Sequence, residues 1–199
     1  PVAPVPASAV LSGFMVKAGV IGWIRFVPQS AEPFEIIGYM LITLGLTGTF
    51  VGAVKGLLQQ DPKAVLAYST VSQMGIIAMA FGVSFLIPEN RDGIFAAIVI
   101  YSIHHGLAKS ALFFSVGIAP ALTLNNMTRY LAYILMILPA LALVGAPFLS
   151  GTYAKLELKE QLATIGLLPT LISLSSIFTG LLMVRFISLM HLKETRATE

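Results

Sequence analysis

The sequence predicts an all-α membrane protein with about six transmembrane helices, and three observations carry that prediction. Of its 199 residues, 57% are hydrophobic and only 11% are charged, against about 25% charged in an average soluble domain. With a mean hydropathy of +0.89, too few polar groups remain to cover a water-facing surface. The apolar residues also gather into six segments, each near the ~20 residues that cross a bilayer at about 1.5 Å per residue. Cysteine is absent, which excludes disulfides, thiolate metal sites and a cysteine nucleophile. The net charge of +3 comes from scattered basic residues, a pattern unlike a nucleic-acid-binding surface.

The first segment runs from about Ala7 to Phe26, with Ser8 placed to cap it and Lys17 near its middle. Pro28, Glu32, Pro33 and Glu35 mark the loop that follows. Along the second, about Ile36 to Leu58, Gly45, Gly48, Gly52 and Gly56 approximate a small-residue face on which a neighbouring backbone can approach closely. Asp61 as cap and Pro62 in the first turn open the third, about Ala64 to Leu86. There Tyr68, Ser69, Ser72 and Gln73 form a polar stripe at helical spacing. Asp92 is placed to cap the fourth, Gly93 to Ile118. A connection from Ala119 to Thr128 leads to the fifth, about Arg129 to Leu149, which Pro139 interrupts. Gly145, Pro147, Ser150 and Gly151 should then break the helix, leaving Lys155, Glu157, Lys159 and Glu160 on a short continuation. A break at membrane depth is tolerated only where the freed backbone is buried in protein or lines a wet cavity. The sixth runs from about Leu167 to Met190, with Ser173, Ser176 and Thr179 on one side. The expected division is a transmembrane domain over 1–190 and a polar tail over 191–199. The opening P-V-A-P-V-P-A-S lacks a basic leader, so the expectation is a chain that starts inside a longer polytopic protein, its earlier helices missing.

Titratable residues concentrate in the fourth span. His105 and Lys109 are four residues apart and share a helix face, which Tyr101 extends one turn back. Ionisable residues inside a span are costly and usually face a bundle interior or a water-filled path. Desolvation disfavours an ammonium, so a lysine buried in an apolar span can load and release a proton near physiological pH. Lys17, Lys109 and Lys155 are the candidates. Imidazole passes a proton from one nitrogen to the other, which suits His105 to a relay beside Lys109. Ser69 and Ser72 would support the path, together with Tyr101. His104 points about 100° away and reads as a packing neighbour. The His104–His105 pair has no third ligand at metal spacing, so no metal site is expected. No catalytic triad and no phosphate-binding glycine loop is present.

Three ordered blocks carry a family resemblance: P-A-S-A-V-L-S-G-F-M-V-K-A-G-V (Pro6 to Val20), D-P-K-A-V-L-A-Y-S-T-V-S-Q-M-G (Asp61 to Gly75) and H-G-L-A-K-S-A-L-F (His105 to Phe113). They resemble the antiporter-like membrane subunits shared by respiratory complex I, membrane-bound hydrogenases and multisubunit sodium/proton antiporters. The resemblance covers nearly the whole chain and about the second half of that family's core. It implies an all-helical fold of two inverted repeats, each with a discontinuous helix and a proton half-channel. Here the first and fifth spans would be discontinuous. Lys17 would be the central lysine of the first half-channel, His105 and Lys109 the relay of the second, and Lys155 the terminal lysine facing the exit. A glutamate on an earlier helix would partner Lys17. Tyr101 stands where the family often has another histidine.

The function implied is a proton-translocating subunit of a complex I-like (NADH dehydrogenase) or hydrogenase-like oxidoreductase assembly, with no catalytic site or cofactor of its own. A subunit of a multisubunit sodium/proton antiporter, a non-conducting scaffold subunit and a subunit coupled to a bicarbonate-generating partner are the alternatives. Expected partners are other membrane subunits, the lipid bilayer and protons, with sodium as an alternative cargo and no nucleic acid. No carboxylate lies mid-span, which disfavours a sodium site. The expected location is a bacterial or archaeal inner membrane, as a multi-pass protein.

Overall fold

Each helix begins where local sequence permits it. The computed structural model describes residues 3–26, 34–118 and 126–198. Helix α1 (Val5–Val10), a π-helical segment (Leu11–Met15) and α2 (Val16–Phe26) form one continuous span. The remaining helices are α3 (Glu35–Leu57), α4 (Pro62–Leu86), α5 (Arg91–Gly117), α6 (Asn126–Val144), α7 (Ser150–Gln161) and α8 (Leu168–Thr198). Six stretches are long and apolar enough to cross a bilayer: Val5–Phe26, Glu35–Leu57, Pro62–Leu86, Pro88–Gly117, Met127–Val144 and Leu168–His191. The chain is an integral multi-pass membrane protein.

Several local expectations shift. The first span starts after Pro4, and Ser8 Oγ donates to Pro4 O at 3.1 Å instead of capping. A 3-10 turn (Pro88–Asn90) leads into α5, so Asn90 takes the cap position and Asp92 sits in the first turn, where an acid suits the positive helix end. Pro139 lies inside α6 without ending it, as neighbouring helices allow in a span. The interruption of the first span takes the form of the π segment, and that of the fifth falls between α6 and α7. Helix α8 continues into the charged tail. Pro28, Glu32 and Pro33 of the first loop, and residues 119–125 of the later connection, lie outside the described residues.

Helices α4 and α5 form the buried centre, and the other spans cover them with one face each. Large apolar side chains such as Phe14, Ile36 and Leu181 point outward. Glycines set the closest seam. Gly38, Gly45 and Gly52 of α3 recur every seven residues and lie against α4, Gly38 on Gly82, Gly45 on Gly75, and Gly52 on the backbone of Tyr68 and Ser72. A Cβ on Gly45 would stand 2.5 Å from Gly75 O, and one on Gly75 would collide with the Gly45 carbonyl.

The core is layered along the bundle. One apolar cluster joins Phe81, Ile94, Ile98, Leu158 and Ile172, with Trp23 edge-on to Phe81 at 5.2 Å between ring centroids. The other joins Leu66, Leu112, Met136, Leu182 and Phe186. Between them, at mid-depth, the same helices carry buried polar side chains: Ser69 to Gln73 on α4, Ser102 to His105 on α5, and Ser175 and Thr179 on α8.

Candidate functional site

The mid-depth layer is built outward from α5, which is helical without interruption from Arg91 to Gly117. Its four-residue spacing puts Tyr101, His105 and Lys109 toward α4, and all three are buried, His105 and Lys109 completely. Lys109 Nζ donates to Leu66 O on α4 at 2.9 Å. Thr70 Oγ1 donates to the same carbonyl at 3.1 Å and pairs with Ser12 Oγ of the π segment at 2.7 Å. Lys17 Nζ donates to Ser12 O at 2.5 Å. Lys17 and Lys109 are thus joined through the carbonyl and hydroxyl of Ser12, the Thr70 hydroxyl and the Leu66 carbonyl.

The π segment makes that approach possible. A π turn widens the backbone and is often found at functional sites. Here it lays Gly13 against Gly106 and Ser110 of α5, so that the Lys17 stem passes within 3.6 Å of a Cβ built on Gly106. A cavity of about 270 Å³ opens beside this crossing, lined by Gly13, Lys17, Ser102 and Gly106 among apolar neighbours.

Tyr101 is engaged differently. Its hydroxyl donates to Gln73 Oε1, Gln73 Nε2 donates to Thr179 Oγ1 at 2.9 Å, and Thr179 Oγ1 donates to Ser175 O at 2.8 Å. The chain of bonds runs one way and ends on a carbonyl. Ser69 and Ser72 are buried on α4, yet neither hydroxyl has a protein partner among the described residues, nor does either nitrogen of His105. Buried polar atoms of this kind are normally met by ordered water.

Lys155 lies beyond the break. Gly145 closes α6 with φ 91°, its N–H donating to Leu141 O and Ala142 O. Phe148, also at positive φ (66°), is fully exposed; a non-glycine residue there costs about 1–2 kcal/mol. Helix α7 then returns so close to α6 that a Cβ on Gly151 would overlap the Ala142 carbonyl. Buried Lys155 spans the gap, donating to Val144 O at 2.7 Å and to Ser176 Oγ of α8 at 3.0 Å. The carbonyl ends of a helix carry partial negative charge, so an ammonium is favoured there.

Lys17, Lys109 and Lys155 have carbonyls and hydroxyls as partners, and none of the three bonds a carboxylate among the described residues. The charges of Lys17, Lys109 and Lys155 all fall within electrostatic reach of His105. No group of three His, Cys, Asp or Glu side chains that could hold a metal ion occurs among the described residues.

His104, read from periodicity as a packing neighbour, sits in the layer as well and bonds across to α7. It is buried, its Nδ1 is 3.0 Å from Ser150 Oγ at the start of α7, and Gly151 packs on its ring. Periodicity placed it off the Tyr101–Lys109 face. The information that α7 covers the neighbouring face of α5 lies in the tertiary fold. Thr70 was likewise hidden, because choosing among adjacent hydroxyls requires the rotation of α4 about its axis.

The sequence matches the family described as NADH:quinone oxidoreductase/Mrp antiporter, TM, over residues 1–183. It is 34% identical over 207 residues to an antiporter subunit, mnhA2, of Staphylococcus saprophyticus, covering 89% of this chain and 26% of that protein. It is also 34% identical over 213 residues to NADH-ubiquinone oxidoreductase chain 5 of Chondrus crispus, covering 96% and 30% respectively. In the structure of the Mrp complex from Dietzia sp. DQ12-45-1b, one chain matches with a TM-score of 0.78 and 30% identity, over 92% of this chain and 22% of that one. The chain therefore spans less than a third of the length of these relatives.

Proposed function

Because this chain belongs to the NADH:quinone oxidoreductase/Mrp antiporter transmembrane family, we propose that it carries protons through the membrane as part of an antiporter-like subunit. The observation that supports this most is the polar layer held at mid-depth between two apolar clusters. Three lysines stand in or beside it without carboxylate partners. Burying such groups costs several kcal/mol each unless they are compensated, and a purely structural subunit has no use for that cost. Lys17, Lys109 and Lys155 load and release the proton, and His105 relays beside Lys109. Ser12 and Thr70 hold Lys17 and Lys109 in one network, with Ser69 and Ser72 supporting water between them.

The assembly we favour is a multisubunit antiporter, on the likeness to the mnhA2 subunit and to the Mrp complex. A complex I-like assembly is the second reading, supported by the likeness to chain 5. Either way, other membrane subunits surround the chain and supply the driving energy. The cargo of this segment is the proton. Asp61, Glu89 and Asp92 lie at helix ends rather than mid-span, and a hard cation such as sodium calls for several oxygen ligands gathered together.

The test is proton flux in vesicles holding the intact assembly, with Lys17→Met and Lys155→Met made singly. Flux should fall roughly 10²-fold at normal assembly. Parental flux in one variant removes that lysine from the path, and parental flux in both ends the reading.

A further inference from the structure

We infer that His104 is the proton-carrying link between the mid-depth layer and α7, where Lys155 stands. The inference rests on the proton-path reading above and adds a residue to it. Helix α5 has two working faces. Tyr101, His105 and Lys109 turn toward α4, whereas His104, about 100° around the helix, turns toward α7. Its Nδ1 is 3.0 Å from Ser150 Oγ. Its Nε2 is buried and has no protein partner among the described residues. One ring nitrogen thus meets α7, and the other is left open to take up a proton.

The placement on α7 fits. Gly151 rests against the His104 ring, with a Cβ there coming within 3.0 Å of Cε1. Lys155 is four residues further on and so lies on the same face of α7. Its charge is within electrostatic reach of the ring. Tyr101 cannot serve in this place, because its bonds through Gln73 and Thr179 run one way to the Ser175 carbonyl, and no member of that series titrates near neutral pH.

The step balances with the ring neutral at both ends. A proton from the layer adds to Nε2 while Nδ1 still holds its own, giving an imidazolium. The Nδ1 proton then moves to Ser150 Oγ, whose hydroxyl proton passes through bridging water to the neutral Lys155 amine, which becomes an ammonium. The ring is left as the other neutral tautomer and resets before the next transfer. A hydroxyl both donates and accepts, which suits Ser150 to the step.

The experiment compares His104→Gln, Lys155→Met and the outer-face control Thr43→Ala in vesicles carrying the intact assembly. Glutamine keeps a hydrogen-bonding group near Ser150 and much of the volume, but it cannot carry a proton. Expected are a fall of roughly 10²-fold in flux for His104→Gln, loss for Lys155→Met, and near-parental flux for Thr43→Ala, whose hydroxyl bonds back to Tyr39 O on an exposed face of α3. Parental flux in His104→Gln with loss in Lys155→Met overturns this inference and leaves the proton-path reading standing. Parental flux in Lys155→Met removes Lys155 from the path and this link with it. Should His104→Gln fail to assemble, Ser150→Ala decides: lowered flux supports the link, and parental flux overturns it.

Discussion

The two faces of α4 are built on opposite plans. Toward α3 it presents Gly75 and Gly82, and the backbones meet with nothing between them. Toward α5 it presents the Leu66 carbonyl and Gln73, to which Lys109 and Tyr101 bond, and beside them the Thr70 hydroxyl meets Ser12 of the first span. Helices in lipid associate by close packing rather than by a hydrophobic driving force, so the glycine seam needs no polar group. The seam with α5 keeps buried hydroxyls and imidazole nitrogens that have no protein partner among the described residues. A chain that packs one face of a helix on glycine and lines the other with buried polar groups accepts a cost in stability on the second face.

That contrast can be broken from either side. Gly75→Leu should have the largest effect, because its side chain would have to occupy the space of the Gly45 carbonyl and Thr49. Overpacking of this kind costs about 3 kcal/mol or more, so the assembly should be lost from detergent extracts run on size exclusion. Thr70→Val keeps the shape and removes the hydroxyl that joins Ser12 to Leu66 O. It should cost about 1 kcal/mol in thermal unfolding, with full assembly and reduced proton flux. Thr43→Ala serves as the outer-face control. Its hydroxyl bonds only back to Tyr39 O at 2.8 Å on an exposed face of α3, and both stability, within about 0.5 kcal/mol, and flux should be unchanged. A Thr43→Ala effect as large as that of Thr70→Val would erase the distinction between the faces.

Much of this was legible in the sequence. Apolar length alone located the six spans to within a turn or so, because a bilayer demands that length. The break after Val144 was legible from Gly145 and Pro147, although Ser150 and Gly151 open α7 instead of extending the break, and Lys17, Lys109 and Lys155 stood out because charge is rare in lipid. Gly45 and Gly52 announced a close approach, although what they meet on α4, Gly75 for the first and the Tyr68 and Ser72 backbone for the second, was not legible, since pairing depends on which helix lies alongside. The caps at Ser8 and Asp92 moved because Pro4 and a 3-10 turn offered earlier starts. Which of Ser69, Thr70 and Ser72 bonds next to Lys109 was not legible, because one residue is about 100° of helix rotation. The same angle concealed His104. Its value depends on α7 folding back over α5, a contact between residues far apart in the chain. Tyr101 was legible as buried and polar, but its engagement with Gln73 and Thr179 required α8 to be placed.

The central claim is that the buried lysines carry protons. Its most direct test is Lys109→Met in the intact assembly, with flux measured in vesicles at matched assembly level. Lys109 is fully buried, and Leu66 O is its hydrogen-bond partner. Replacing a buried charge by an apolar chain of similar volume is often neutral or stabilising, so the fold should persist. Proton flux should fall by roughly 10²-fold with thermal stability unchanged or raised. Parental flux through a stable Lys109→Met assembly would contradict the account.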